Sequence, residues 1–335
     1  MLFRSVRSAV GVEIEKEASD TLPKDLRADG FSNTAYALGV DLSHVEAYAK
    51  MAEIVVGKLD VPAFLKEFNL KPDPNPDGLR KSIARIGHWL LRGPLEDHEV
   101  NAFLNVASSV TAQDGDFNTA MAFVIEAMLQ SPRFIYRVEN QRGDGTAWPV
   151  GDYELASRLS YTLWGAPPDR ELMRAADAGE LYDRRNVEKQ VNRMLGDPRV
   201  KRRSLRFLTE WLDLDRLATL RPNPEKFPQW DAALAADMRA ETLAFFEDVV
   251  WRQKRPLADL LNAKVTYATP RLAKFYGLPE SDSVALARYD LSEIPERGGL
   301  LTQGSVLTVG GDEASMVARG LLVLNDILRG ALNNP

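Results

Sequence analysis

A length of 335 residues, with 45% hydrophobic and 27% charged side chains, is that of an ordinary globular chain with two or three domains. The 42 basic and 48 acidic residues give a formal net charge of −6, which disfavours nucleic-acid binding because such binding requires a basic surface. Cysteine is absent, which excludes disulfides, thiolate zinc sites and C-x-x-C-H attachment of c-type haem within these residues.

Apolar residues recur at helical spacing along most of the chain, and alternating strand patterns are nearly missing. The spacing predicts helices over 117–130, 153–164, 184–195, 228–252 and 314–328. We therefore predict an all-α, multi-helical fold. It should contain about ten to thirteen helices in two or three packed helical subdomains, with negligible sheet.

Clusters of Pro, Gly, Asn and Asp predict where the chain divides. The predicted pieces are an N-terminal helical piece at 1–70, a helical region at 75–139, a main helical domain at 148–278 and a partial C-terminal domain at 294–335. No apolar run reaches the roughly 18 residues of a membrane span. No signal peptide is predicted, because MLFRSVRSAV is followed directly by charged residues. Both ends fall within predicted elements, which indicates a fragment of a longer protein.

The stretch RLSYTLWGAPPDRELMRAADAGEL at 158–181 combines aromatic, proline and charged residues. Its periodicity predicts a helix that ends at Gly165 and a second helix that restarts after the prolines. Asp169 lies where a negative charge favours a helix N-terminus. Arg158 and Arg170 are predicted to brace this helix–corner–helix through carboxylates.

Metal-ligating patterns are incomplete in this sequence. The stretch DPNPDGLRKSIA at 73–84 matches the opening of a calcium-binding EF-hand loop, but its twelfth position is Ala84, where a bidentate Glu is required. The three histidines, His44, His88 and His98, form no H-E-x-x-H pattern. We predict no metal site and no cofactor-binding residue within this chain.

Two further sets of residues could carry chemistry. Asp237 and Glu241 lie four residues apart on a predicted helix, on the face opposite its apolar stripe, and are interpreted as a solvated surface. The glycine-rich stretch at 297–315 could present the backbone amides of Gly304–Ser305 and Gly310–Gly311 to an anion. Alternatively, its glycines supply turns, and Asp312 or Ser315 caps the final helix.

Several stretches of the chain resemble one family when they are taken in order. The longest of them are LPKDLRADGFSNTAYALGVDLSHVEAYAKMAE (22–53), AMLQSPRFIYR (127–137), YELASRLSYTLWGAPPDRELMRAADAGEL (153–181), FPQWDAALAADMRAET (227–242), TPRLAKFYGLP (269–279) and ERGGLLTQGSVLTV (296–309). They resemble planctomycete-type cytochrome-associated proteins, which are built from domains of unknown function numbered 1587, 1595, 1592 and 1588. The resemblance to the 1592 domain covers about 148–278, and that to the 1588 domain covers 294–335 in part.

The resemblance implies a helical, exported bacterial protein of the periplasm or cell surface. It also implies a redox or structural protein partner, and haem c is expected in the full-length protein. One departure is TVGGDEASMVARG at 308–320, where relatives carry a Ser/Thr-Ser-Pro stretch.

Three functions remain open at this point. The first is a helical module of an exported haem-c-associated protein of unknown reaction, linked to redox chemistry or electron transfer. The second is a non-catalytic interaction scaffold. The third is a carboxylate-based hydrolase of a surface polymer, in which the candidates Asp169, Glu171 and Glu210 would act near Trp164 and Trp211.

Overall fold

The computed structural model describes residues 2–23, 31, 39–139, 150–279, 285–309 and 316–328. Within these residues the chain forms sixteen α-helices and one two-stranded sheet, which confirms the all-α prediction. The helix count exceeds the predicted range because several helices have only four to seven residues. Helices this short carry too little periodicity to be recognised in a sequence.

The first eight helices are α1 Leu2–Val10, α2 Glu15–Thr21, α3 Leu42–Lys58, α4 Val61–Glu67, α5 Pro76–Leu90, α6 Asp97–Thr111, α7 Phe117–Leu129 and α8 Pro132–Ile135. The next eight are α9 Asp152–Leu163, α10 Arg170–Asp177, α11 Arg184–Leu195, α12 Pro198–Trp211, α13 Ala232–Phe246, α14 Pro270–Tyr276, α15 Gly304–Val309 and α16 Met316–Leu322. The antiparallel strands are β1 Val265–Ala268 and β2 Ala287–Asp290, with Thr266 opposite Tyr289. Short 3-10 turns lie at Glu180–Tyr182, Leu214–Ala218, Leu257–Leu261 and Leu300–Thr302, and π-helical turns follow α13 at Glu247–Arg252 and α16 at Val323–Ile327.

The chain divides into two compact units. Unit 1 comprises Met1–Asp25 and Leu38–Val200, and unit 2 comprises Leu26–Ala37 and Lys201–Pro335. The core of unit 1 lies among α3, α5, α6 and α7, where long apolar side chains are fully buried. Among them are Met51, Ile83, Ile86, Met121, Ile125 and Met128.

The corner at 158–181 forms as predicted in unit 1. Helix α9 ends at Leu163, Gly165 adopts a left-handed conformation, and Asp169 caps α10 by accepting a 2.9 Å hydrogen bond from the Leu172 amide. Arg158 binds Glu139 through two hydrogen bonds of 2.7 and 2.6 Å. Arg170 binds Glu67 at 2.9 Å. Both predicted arginine braces are therefore confirmed.

Helix α13 is the centre of unit 2. One side of it, which carries Ala235 and Phe245, packs into a core formed with α12 and β1. Another side, which carries Leu234 and Met238, packs against Leu272 of α14. Because apolar residues occur around the whole helix rather than along one stripe, α13 is enclosed on more than one side. This enclosure also buries a charged residue of the helix, Glu241.

Candidate functional site

A fully buried carboxylate, Glu241, lies in the middle of α13 in unit 2. The Thr266 hydroxyl on β1 donates a hydrogen bond to its Oε1. The Tyr276 hydroxyl at the end of α14 donates a 2.6 Å hydrogen bond to its Oε2. The guanidinium of Arg297 lies 4.0 Å from Oε1. Strand, helix and loop thus converge on one acid.

This arrangement corrects the interpretation of Asp237 and Glu241 as a solvated surface. Glu241 is 0% exposed. The side chain of Asp237 is 14% exposed, and it accepts hydrogen bonds from Thr269 at 2.8 Å and Arg271 at 2.9 Å. The interpretation was wrong because it assumed a single apolar stripe on a helix that is packed on several sides. The sequence signal was the all-round apolar composition of AALAADMRAETLAFF at 232–246.

Tyr276 connects the buried acid to the glycine-rich stretch. Its hydroxyl accepts a 2.8 Å hydrogen bond from the Gly304 amide while it donates to Glu241. A Cβ atom on residue 304 would overlap the Tyr276 hydroxyl and lie 3.0 Å from the Met238 methyl group, so only glycine permits this approach. The Arg297 guanidinium lies over the Tyr276 ring, 3.7 Å from its centroid.

Burial dominates the electrostatics of this cluster. It raises the pKa of Glu241 to about 7, although hydrogen bonds from Thr266 and Tyr276 and the positive charge of Arg297 act in the opposite direction. Burial, and secondly the neighbouring Glu241 carboxylate, raise the pKa of Tyr276 far above its ordinary value. Near neutral pH, Glu241 therefore exchanges a proton while Tyr276 keeps its own. Carboxyl groups tuned in this way are common at functional sites.

Two buried side chains between α14 and α15, Arg297 and Gln303, have atoms that make no hydrogen bond among the described residues. Gln303 is 2% exposed, and neither its Oε1 nor its Nε2 has a hydrogen-bond partner among the described residues. The Nε of Arg297 is likewise buried without a hydrogen-bond partner in that part of the chain. Native proteins leave few such groups unsatisfied, and the Arg297 guanidinium is one that lies beside Glu241.

A cavity of about 460 Å³ borders the cluster, within the size range of small-molecule sites. We call it the Tyr276 cavity. Its apolar wall is formed mainly by Phe227, Trp230, Leu234, Met238, Phe275 and Leu307. Polar groups in its lining come from Lys226, Gln229, Tyr276, Thr308 and Arg319. Tyr276 and Gly304 belong both to the cavity lining and to the hydrogen-bonded cluster of Glu241.

A second cavity, of about 310 Å³, lies in unit 1 beside the corner at 158–181. Three arginines line it, and each is paired with a carboxylate. Arg7 binds Glu13 at 2.7 Å, Arg170 binds Glu67, and Arg199 binds Asp197 at 2.7 Å. Each of the three positive charges in the lining is thus already paired with a carboxylate. The Tyr276 cavity is therefore the stronger candidate site.

The acids proposed for hydrolysis each bind an arginine. Asp169 caps α10 and accepts hydrogen bonds of 2.7 and 3.0 Å from Arg193. Glu171 is bound by Arg174 through two 3.0 Å hydrogen bonds, which lower its pKa to about 2.

Glu210, in unit 2, is buried and accepts a 2.8 Å hydrogen bond from Arg206. Asp169 and Glu171 belong instead to unit 1. Of the two tryptophans proposed beside these acids, Trp164 donates to the Met194 carbonyl at 3.1 Å and Trp211 stacks on the ring of Phe207.

The glycine-rich stretch is described only in part. The Gly304 amide binds Tyr276, whereas Gly310, Gly311, Asp312 and Ser315 lie outside the described residues, so the anion and capping hypotheses there stay predictions. Among the described residues, no group of three or more His, Asp or Glu side chains could hold a metal ion.

Three family models match successive parts of the chain. PSD3, a protein of unknown function (DUF1587), matches residues 3–61, and PSD5 (DUF1595) matches residues 78–139. PSD4 (DUF1592) matches residues 150–278. The three matched stretches follow one another along the chain without overlap. The predicted resemblance to the 1587, 1595 and 1592 domains is thereby confirmed.

Glu241, Thr266 and Tyr276 all lie within the PSD4 domain, whereas Arg297 and Gly304 follow it. No curated protein and no solved structure matches the chain. None of the helices within the described residues is long and apolar enough to cross a membrane.

Proposed function

We propose that unit 2 binds a small molecule with an apolar body in the Tyr276 cavity. The observation that carries this proposal is the meeting of an apolar, aromatic wall with a buried, titratable Glu241–Tyr276 pair. Apolar cavities with a few convergent polar groups are the usual form of small-molecule sites. The wall would supply affinity by removing apolar surface from water, and the Tyr276 hydroxyl would orient the ligand.

Binding of 2-naphthol to the complete chain, followed by isothermal titration calorimetry, tests this proposal. For an aromatic molecule of this size we expect saturable binding with a dissociation constant of roughly 0.1 to 1 mM. Leu307→Trp should weaken binding at least about tenfold, because Leu307 lines the cavity and the larger side chain would occupy it. Leu257→Trp is the matched control, since Leu257 is exposed in the same unit and does not line the cavity. Equal affinity of both variants, or no saturable binding, would contradict the proposal.

We further propose that the chain is a helical module of an exported bacterial haem-c-associated protein of the periplasm or cell surface, with a redox or structural protein as partner. The PSD domains and the resemblance to cytochrome-associated proteins support this. The residues of this chain do not themselves fit haem c, since there is no cysteine.

The haem would therefore be held by other residues of the assembly. The complete gene product and its haem absorbance spectrum test this part of the proposal. We expect a signal peptide, a C-x-x-C-H motif and a c-type spectrum. A complete product without any of these would contradict it.

A further inference from the structure

The Tyr276 hydroxyl is the polar atom that joins the cavity to Glu241. A Cβ atom on residue 304 would contact both this hydroxyl and the Met238 thioether. The hydroxyl, the Gly304 backbone and the Met238 thioether are therefore neighbours. All three residues line the Tyr276 cavity. A ligand that fills the cavity to this end therefore meets the Tyr276 oxygen.

When Glu241 is ionised, the hydroxyl proton of Tyr276 is used in the hydrogen bond to the Glu241 carboxylate. The hydroxyl donates to Oε2 of Glu241 at 2.6 Å and accepts from the Gly304 amide at 2.8 Å. Thr266 already donates to the other carboxylate oxygen. The remaining lone pair of the Tyr276 oxygen is then what Tyr276 offers to the cavity, so Tyr276 presents a hydrogen-bond acceptor.

Protonation of Glu241 reverses this polarity. A protonated carboxyl group gains one O–H donor, and the Tyr276 oxygen is the acceptor within reach of Oε2. The carboxyl proton then occupies that hydrogen bond, and the Tyr276 O–H turns away from Glu241. Glu241 takes up one proton from solvent, Tyr276 keeps its own, and the cavity is offered a donor.

We propose that the Tyr276 cavity selects a molecule whose apolar body carries a hydroxyl group, and that Glu241 determines through Tyr276 whether this hydroxyl donates or accepts. A hydroxyl does either, because it rotates to suit its partner. A ligand with only an ether or ketone oxygen can accept a hydrogen bond from Tyr276 in the protonated state alone. This inference deepens the proposed function and rests on it, since it names the ligand class of the same cavity.

The charged surroundings leave both states of Glu241 accessible. Arg297, 4.0 Å away, is the charged residue facing Glu241 from the loop before α15, and Tyr276 is the titratable group from α14. From β1, Glu241 receives the neutral donor Thr266, and the Gly304 amide of α15 donates to the Tyr276 oxygen. On α13 itself, Asp237 is held by Thr269 and Arg271. Because burial raises the pKa of Glu241 to about 7, a change of one to two pH units moves the population between the states.

A matched pair of probes tests the inference with the complete chain. 2-Naphthol carries a hydroxyl, 2-methoxynaphthalene carries an ether oxygen in its place, and both stay uncharged between about pH 5.5 and about pH 8. The affinity for the ether should fall about fivefold from the lower to the higher pH, which is the effect of one neutral hydrogen bond. The affinity for the naphthol should change less than about twofold, because its hydroxyl keeps a partner in both states.

Three variants test which residues cause the pH dependence of ether binding. Tyr276→Phe should remove the pH dependence for the ether, and so should Glu241→Gln, whose carboxamide donates to Tyr276 at every pH. Tyr289→Phe is the matched control and should keep the wild-type behaviour. Tyr289 lies on β2, does not line the cavity, and has a buried hydroxyl without a hydrogen-bond partner among the described residues.

The outcomes separate this inference from the proposed function. If the ether binds equally well at both pH values, or if Tyr276→Phe keeps the pH dependence, the proton switch is wrong while binding in the cavity stands. If neither probe binds saturably to the wild-type chain, the proposed function and the inference fail together. A pH-dependent ether, a pH-independent naphthol and the loss of the difference in both cluster variants would support the inference.

Discussion

Replacement of Glu241 by Gln should change how the stability of the protein depends on pH. Gln has nearly the same shape, its amide oxygen can accept from Thr266, and its N–H group can donate to the Tyr276 oxygen, so the hydrogen bonds of the cluster are kept. What the substitution removes is the ability of residue 241 to ionise. The variant therefore isolates the energetic effect of a titrating carboxyl group in the core of unit 2.

The sign and size follow from the raised pKa. Burial raises the pKa of Glu241 from the ordinary 4.5 to about 7 in the folded protein. Between these values the unfolded chain has lost the proton and the folded protein has kept it, so the free energy of unfolding falls as pH rises. Below pH 4.5 the stabilisation is fully present, and it is lost as pH rises through about 7. At about 1.4 kcal/mol per pKa unit, the loss amounts to roughly 3 kcal/mol. Because Glu241 is fully buried, solvent screening does not reduce this figure.

Urea unfolding of both proteins from about pH 5 to about pH 8, followed by tryptophan fluorescence, measures the effect. The difference in unfolding free energy between wild type and Glu241→Gln should shift by roughly 3 kcal/mol in favour of the variant across this range. Glu247→Gln is the control, because the pKa of Glu247 is lowered by Lys201, so its own stabilisation is lost only at more acidic pH. Its difference from wild type should stay constant.

Parallel pH profiles for wild type and Glu241→Gln would refute this reasoning, since they would mean that Glu241 ionises alike in the folded and unfolded chain. A wild-type protein that gains stability relative to the variant as pH rises would refute it equally. It would show that Thr266, Tyr276 and Arg297 outweigh burial and lower the pKa instead of raising it.

Further predictions concern packing and capping. Tyr276→Phe should lower the unfolding free energy by about 1–2 kcal/mol, because the Tyr276 hydroxyl makes two hydrogen bonds. Tyr289→Phe should leave the unfolding free energy unchanged or raise it slightly, because the Tyr289 hydroxyl has no hydrogen-bond partner among the described residues. Chemical denaturation of both variants measures the difference. Gly304→Ala should cost about 1–3 kcal/mol and weaken probe binding, because the new methyl group overlaps the Tyr276 hydroxyl; a cost below that of an exposed Gly→Ala change would contradict this. In unit 1, Asp169→Ala should cost about 1–2 kcal/mol and Asp169→Asn less, since Asn still caps α10; equal thermal shifts of both variants would show that capping contributes nothing.

The sequence predicted best what is determined locally. The corner at 158–181 was predicted because Gly165, the prolines and Asp169 each act on residues within one helical turn. The strands at 265–268 and 287–290 were missed, because four residues carry too little alternation to be recognised.

The position of the candidate site depends on contacts between distant parts of the chain. Glu241 meets Thr266, Tyr276 and Arg297 only because α13, β1, α14 and the following loop pack together. The stretches TPRLAKFYGLP and ERGGLLTQGSVLTV, which carry Tyr276 and Arg297, were recognised as family signatures. Their convergence on one buried acid could not be deduced from periodicity, which describes one element at a time.

The central claim is that Glu241 titrates and is coupled to the Tyr276 cavity. Its most direct test is a pH titration of the Glu241 carboxyl ¹³C NMR resonance in the complete chain labelled with ¹³C-glutamate. The resonance is assigned by its absence from the spectrum of Glu241→Gln. We predict a titration midpoint near pH 7, which should move to higher pH when 2-methoxynaphthalene is bound, because the ether favours the protonated state. A midpoint at or below the ordinary 4.5, or one that saturating probe leaves unmoved, would contradict the account.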